Sequence, residues 1–155
     1  MITNTPNQNQ RVIALDVGTK TCGIAVTDPM GIICQPVTTL RYKGEHDLNA
    51  LLEPLIKIFK DLIPKTIVVG LPVNSNGTEG TQVTKVRAFT AALKKYLTQH
   101  HMPADQYTWV FQDEFSTSQK AHEFFKSVGV KHAKRKKSID TMAAVFILQD
   151  YLDNM

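Results

Sequence analysis

The chain has 155 residues, 43% hydrophobic and 21% charged, and two cysteines. These proportions exclude a disordered, collagen-like or coiled-coil chain. They suit one domain whose core needs no disulfide or metal to hold it. The net charge of +4 is uneven: between positions 120 and 137 seven basic residues stand against one acid, Glu123, a local +6 that leaves −2 for the rest. A mildly acidic body with one basic segment points to a polyanion partner, nucleic acid first, with a solvated basic loop as the plainer alternative. No apolar run approaches the ~20 residues of a bilayer span. The polar first ten residues contain no apolar signal core, so a cytoplasmic protein without membrane contact is expected.

In chain order, residues 1–10 are expected to be a flexible N-terminus and residues 11–153 a single domain. Residues 11–17 carry the apolar run Val12, Ile13, Ala14 and Leu15, a strand buried on both faces, broken by Gly18 and Thr19. Residues 22–27 and 32–39 read as a hairpin around Asp28, Pro29, Met30 and Gly31. Symmetry about Met30 would pair Cys22 with Thr38, leaving Cys22 and Cys34 as buried free thiols. Residues 48–62 have helical apolar spacing, with Asp47 as the expected N-cap and Pro54 as a kink or true start.

A strand over 66–70, a loop over 71–80 and a helix over 81–97 follow. The helix has Val83, Val86, Phe89 or Thr90, Leu93 and Leu97 inward. Residues 107–111 alternate as a strand, with Trp109 expected in the core. Ser116 or Thr117 should cap a short helix, and Ser138 a final one after a basic loop. Three strands joined by short turns and then β/α alternation predict a mixed five-stranded sheet: a three-strand antiparallel meander plus parallel strands, with helices on both faces.

The chemistry lies in where the acids fall. Asp16 ends a buried strand, where packing does not explain a carboxylate. Asp113 and Glu114 end another strand, and Asp140 falls in the first turn expected for the last helix. Ligands of open α/β sheets bind beyond the carboxyl ends of the strands. If the first and last strands are neighbours, these acids meet there. Converging carboxylates call for a hard cation, Mg²⁺ or Mn²⁺. A plainer reading stands beside each: helix-dipole placement for Asp140, a solvated strand end for Asp113 and Glu114.

These residues also form a recognisable series. Asp16-Val17-Gly18-Thr19-Lys20 with Gly23-Ile24-Ala25-Val26-Thr27-Asp28 is followed by Val69-Gly70-Leu71-Pro72, Asn74 and Gly77-Thr78-Glu79-Gly80. Then come Asp113-Glu114 with Thr117-Ser118 and Ala121, and Lys137-Ser138-Ile139-Asp140 with Ala143-Ala144 and Ile147-Leu148-Gln149. Four motifs in this order, spanning residues 11–153, resemble the YqgF family, also called RuvX or Holliday-junction-resolvase-like. The resemblance implies a ribonuclease-H-like α/β fold and a metal-dependent nuclease that trims the 5′ end of precursor 16S ribosomal RNA or cuts four-way DNA junctions. It implies an acidic centre of Asp16, the Asp113–Glu114 pair and Asp140. Asp16, Glu114 and Asp140 would be the metal ligands. Adjacent strand residues point to opposite faces, so Asp113 and Glu114 should not ligate equally; Glu114 is favoured with Asp113 second, and the residues alone do not decide between them. Phe115 departs from the pattern, which usually has Arg there.

The expected mechanism is two-metal hydrolysis, one ion activating water and the other stabilising the leaving 3′-oxygen, to give 5′-phosphate and 3′-hydroxyl ends. Gly18 and Thr19 would meet the scissile phosphate as an anion nest, though a tight turn explains Gly18 equally well. Lys20, Asn74, Lys131, Lys134, Arg135, Lys136 and Lys137 are the further candidates for nucleic-acid contact. Two other classes stand beside the nuclease. One is a non-catalytic RNA-binding ribosome-assembly factor. The other is an ATPase of the sugar-kinase type, disfavoured because that fold needs two such domains. A monomer serves RNA trimming, and a weak two-fold dimer would serve junction cutting.

Overall fold

The computed structural model describes residues 9–73, 78–113 and 132–155, with side chains from residue 142 onward in the last segment. The expected helix after residue 116 lies outside these residues. Five strands, β1 (Val12–Val17), β2 (Thr21–Thr27), β3 (Cys34–Arg41), β4 (Thr66–Leu71) and β5 (Thr108–Asp113), form one sheet in the order β3-β2-β1-β4-β5. β1 pairs antiparallel with β2 and parallel with β4, β2 pairs antiparallel with β3, and β4 parallel with β5. The mixed sheet is therefore the one expected. However, β1 and β5 are not neighbours: β4 lies between them.

The two faces differ in filling. Helices α1 (Asn49–Leu62) and α2 (Thr81–Gln99) cover one face. There Ile13, Leu15, Ile24, Ile67 and Val69 pack with Leu55, Phe59, Leu93 and Leu97. The second face carries Val12, Ala14, Ala25 and Val68 under Ala144, Ile147 and Leu148 of α3 (His132–Asp153). Strand alternation assigns successive β1 residues to opposite cores. From Val12 to Leu15 the strand is apolar because both faces are covered.

Several boundaries differ from expectation for physical reasons. Asp28 accepts the N–H groups of Ile32 and Ile33 at 2.7 and 2.9 Å, so these two isoleucines belong to the turn and β3 starts two residues late. A register shift between Ile24 and Ala25 then pairs Cys22 with Leu40, not Thr38. Pro36 stands opposite Ala25 at that irregularity. Both thiols are free, but Cys22 is buried and Cys34 only half-buried.

Asp47 does not cap α1. It lies in a 3-10 turn (Glu45–Asp47), where its carboxylate accepts the Lys43 N–H at 2.9 Å, and Leu48 occupies the N-cap. The helix starts ahead of Pro54 and runs through it. Ser138 does not start the last helix either. α3 begins at His132, so residues 134–137 are helical and not a loop; lysine and arginine are good helix formers, and no breaker stands among them. Trp109 is partly buried against the first core, as expected, and its indole N–H donates to the Ala104 carbonyl at 2.9 Å.

Candidate active site

Asp16 sits one residue from the C-terminal end of the central strand β1. Ile13, Leu15 and Val17 belong to the α1/α2 core, Val12 and Ala14 to the α3 core. Alternation therefore turns Asp16 toward the α3 side. It is half-buried. Gly23 is its partner on β2, and Gly70 on β4 lies one residue beyond the Leu15–Val69 pair. Both of these strand neighbours are glycines, which leaves a lane within the sheet for the carboxylate. On the other face, burial drives the Cys22 thiol far above its ordinary pKa, and the negative charge of Asp16 adds to the effect. That thiol is inert at neutral pH.

Past Val17 the chain turns tightly. The Gly18 N–H donates to the Thr21 carbonyl at 2.7 Å, and the Tyr42 hydroxyl donates to the Gly18 carbonyl. A Cβ at Gly18 would stand 3.2 Å from the Thr21 oxygens, tight enough to require movement. The turn therefore explains this glycine. Its N–H is committed inside the turn, so the expected nest cannot use it. Thr19 and Lys20 are exposed beside it.

Asp113 ends β5, exposed, two strands from Asp16. Strands lie about 4.8 Å apart, so the two backbones are separated by roughly 10 Å across the sheet. Val110 packs into the α3 core while Trp109 packs against the other. Alternation then turns Asp113 toward the α2 side, away from Asp16. The expected meeting of Asp16 with Asp113 by strand adjacency does not occur, because β4 intervenes. Glu114, Phe115, Asn74 and Lys131 lie outside the described residues.

Asp140 is not in a first helical turn. It is the ninth residue of α3, beyond the reach of the terminal dipole that offered its plainer explanation. Lys134, Arg135, Lys136 and Lys137 share the helix's first two turns. The direction of α3 is fixed at its other end. There Tyr151 packs against the same core as Cys34 at the start of β3, and the charge of Asp153 adds, after burial, to the rise in that thiol's pKa. Cys34 pairs with Thr27, whose hydroxyl accepts the Val12 N–H at 2.9 Å. The C-terminus of α3 thus lies at the beginning of β1, and the helix runs back toward Asp16. Among the described residues no three His, Cys, Asp or Glu side chains form a metal centre, and no helix is long and apolar enough to cross a membrane.

Sequence reasoning missed the charge of α2. It carries Lys85, Arg87, Lys94 and Lys95 and no acid. A count of basic residues per helix would have found it. Arg87 lies 4.9 Å above the Phe111 ring and bonds Glu79 at 2.8 Å, while Lys94 lies 5.1 Å above Trp109.

Residues 10–154 match the family model described as "RuvX: Holliday junction resolvase". A Clostridium novyi protein named "Putative pre-16S rRNA nuclease" is 41% identical over 145 residues, covering 94% of this chain and 99% of that one. A Clostridium botulinum protein of the same name is 39% identical over 146 residues, covering 94% and 98%. Among solved structures, Thermus thermophilus RuvC in complex with a Holliday junction substrate superposes with a TM-score of 0.56 at 12% identity, over 94% of this chain and 96% of that one. That likeness speaks for the fold, the sequence matches for descent. The chain belongs to the RuvX family of Holliday-junction-resolvase-like nucleases and has their ribonuclease-H-like fold.

Proposed function

We propose that the chain is a divalent-metal-dependent nuclease acting on the 5′ region of precursor 16S ribosomal RNA, with Asp16, Glu114 and Asp140 as the ligands of Mg²⁺ or Mn²⁺. The observation that carries this reading is the lane at Asp16 together with the course of α3. Ala144 of α3 and Ala14 of β1 share one core. Position 140 precedes Ala144 by four residues, about 6 Å along a helix. Asp16 follows Ala14 by two residues, about 6.6 Å along a strand. Helix and strand run in opposite directions, so both steps lead toward the same edge of the sheet, which supports a shared site for the two acids.

A carboxylate donor set fits a hard, oxygen-seeking cation. When bound, such an ion acidifies water and offsets charge on the leaving oxygen. Asp113 faces away from Asp16, which favours Glu114 as the β5-side ligand and leaves Asp113 outside the metal shell. Thr19 and Lys20, exposed at the turn beyond Asp16, receive the scissile phosphate, Thr19 with its hydroxyl and Lys20 with its ammonium. Gly18 shapes that turn. Asn74, Lys131, Lys134, Arg135, Lys136 and Lys137 hold the flanking backbone by charge and hydrogen bonding, so affinity falls with salt. A single copy working in the cytoplasm suffices for an RNA end.

The test sets a 5′-extended 16S precursor fragment beside a four-way DNA junction. Each is incubated with wild type and Asp16→Asn, in Mn²⁺ and in chelator. Metal-dependent RNA cleavage that drops by orders of magnitude in the variant is expected. Cleavage of the junction alone would transfer the assignment to DNA. RNA binding without cleavage, equal in both proteins, would leave an assembly factor.

A further inference from the structure

On the α1/α2 face, beside the turn that follows Asp16, a groove of about 630 Å³ opens between α2 and the connection leading into α1. Its size is that of a small-molecule pocket, ~300–1,000 Å³. Val17, Leu48 and Phe89 supply an apolar floor, and Thr19 joins its wall to the β1 edge. The polar groups come from two elements. Glu45 and His46 enter from the connection before α1, whereas the neutral Gln82 and the cationic Lys85 enter from α2. That helix has four cations and no acid.

This division restricts what fits. An apolar floor takes the face of an aromatic ring. A carboxylate repels phosphate and accepts hydrogen bonds from amino and imino groups. An ammonium attracts phosphate. A ligand with a flat ring, an amino-bearing edge and a phosphate satisfies all three, and a nucleotide of guanine, adenine or cytosine is that ligand. Uracil has one imino N–H set between two carbonyls and no amino group, so a carboxylate binds it less well than a base with an amino-bearing edge. Single-stranded RNA offers such bases unstacked and free to enter a pocket.

We propose that this groove binds one unpaired nucleotide flanking the cleavage point, its amino-bearing base read by Glu45 and Gln82 and its phosphate held by Lys85. The groove thus supplies sequence preference to the nuclease reading above, on which its biological meaning rests. Ala88 lies exposed on the α2 wall, and a large side chain there would fill the space.

The experiment uses the full chain and one short single-stranded RNA prepared in two forms, with 6-thioguanosine or 4-thiouridine at a chosen position. Irradiation in chelator is followed by mass spectrometry of the crosslinked peptides. Thioguanosine is expected on peptides containing Glu45 or residues 82–89, exceeding thiouridine by about fivefold or more, as one well-made base contact implies. Ala88→Trp should abolish these crosslinks, with its melting temperature confirming the fold. Glu45→Gln should bring the two bases toward equal yield. Lys85→Ala should weaken binding and lower its salt dependence by about 0.7, one phosphate of single strand.

Crosslinks found only elsewhere, or unchanged in Ala88→Trp, overturn the proposal. Adding Mn²⁺ to the same RNA separates the two readings. Cleavage without groove crosslinks sinks the groove and keeps the nuclease. Groove crosslinks without cleavage of any substrate sink the nuclease and keep a nucleotide-binding groove.

Discussion

The two faces of the sheet are built from different stock. The α1/α2 face is filled by Leu, Ile and Phe, among them the fully buried Leu15, Leu55 and Leu93. The α3 face has three alanines, Ala14, Ala25 and Ala144, at its centre. Large side chains hold helices away from a sheet and bury much area. Alanines let a helix lie close. The thick face supplies stability, and the thin one brings α3 near the strand that carries Asp16. One strand serves both because its residues alternate between them.

That contrast can be broken from either side. Phe59 is 1% exposed and meets Tyr107 edge-to-face at 5.7 Å. Phe59→Ala should cost about 3–5 kcal/mol, the largest loss, read from urea unfolding. Ala144→Leu on the thin face should cost less, about 1–3 kcal/mol for overpacking. Its cleavage rate should nevertheless fall further than its stability loss implies, because α3 is pushed from Asp16. A Phe59→Ala protein that remains folded, by contrast, should cut normally. Equal effects on activity would erase the distinction between the faces.

Thr27 lies where both faces begin. Its hydroxyl accepts the Val12 N–H at 2.9 Å and donates to the Asp28 carbonyl at 3.0 Å. Thr27→Val keeps the shape and strands a buried donor, for about 1–2 kcal/mol by denaturant titration. The smallest effect concerns Asp28, whose pKa the Ile33 and Ile32 N–H groups hold below the ordinary aspartate value. A folded pKa below the unfolded one stabilises above the unfolded value and is lost as pH falls through the folded one. Wild type should therefore lose melting temperature below about pH 4, and Asp28→Ala should show a flatter acid limb. An unchanged limb would remove the carboxylate from the account of the turn.

Elements with strong periodicity were legible in the sequence. The inward set of α2 is Val83, Val86, Phe89, Thr90, Leu93 and Leu97; helical spacing gives these positions with Phe89 and Thr90 as alternatives, and the structure buries both. Asp16 was legible because a carboxylate ending an apolar run contradicts packing. What was not legible depends on contacts between distant segments. Strand order is one, since nothing in the residues of β4 says that it enters between β1 and β5. The start of β3 is another, because Ile32 and Ile33 look like strand until the Asp28 carboxylate claims their N–H groups. At α3 a run of charge reads as a loop, although lysine and arginine propagate a helix well. Glu114 and the side chain of Asp140, the partners that would complete the Asp16 site, lie outside the described residues.

Pro36 and the irregularity opposite it have a consequence for how the molecule behaves in company. Among the described strands β3 has a neighbour on one side only. An unbroken outer edge of this kind invites strands from other molecules. Proline removes one amide from the row, and the shifted register bends what is left. The β3 edge thus ends as two short stretches, which disfavours the addition of a foreign strand on that side of the sheet.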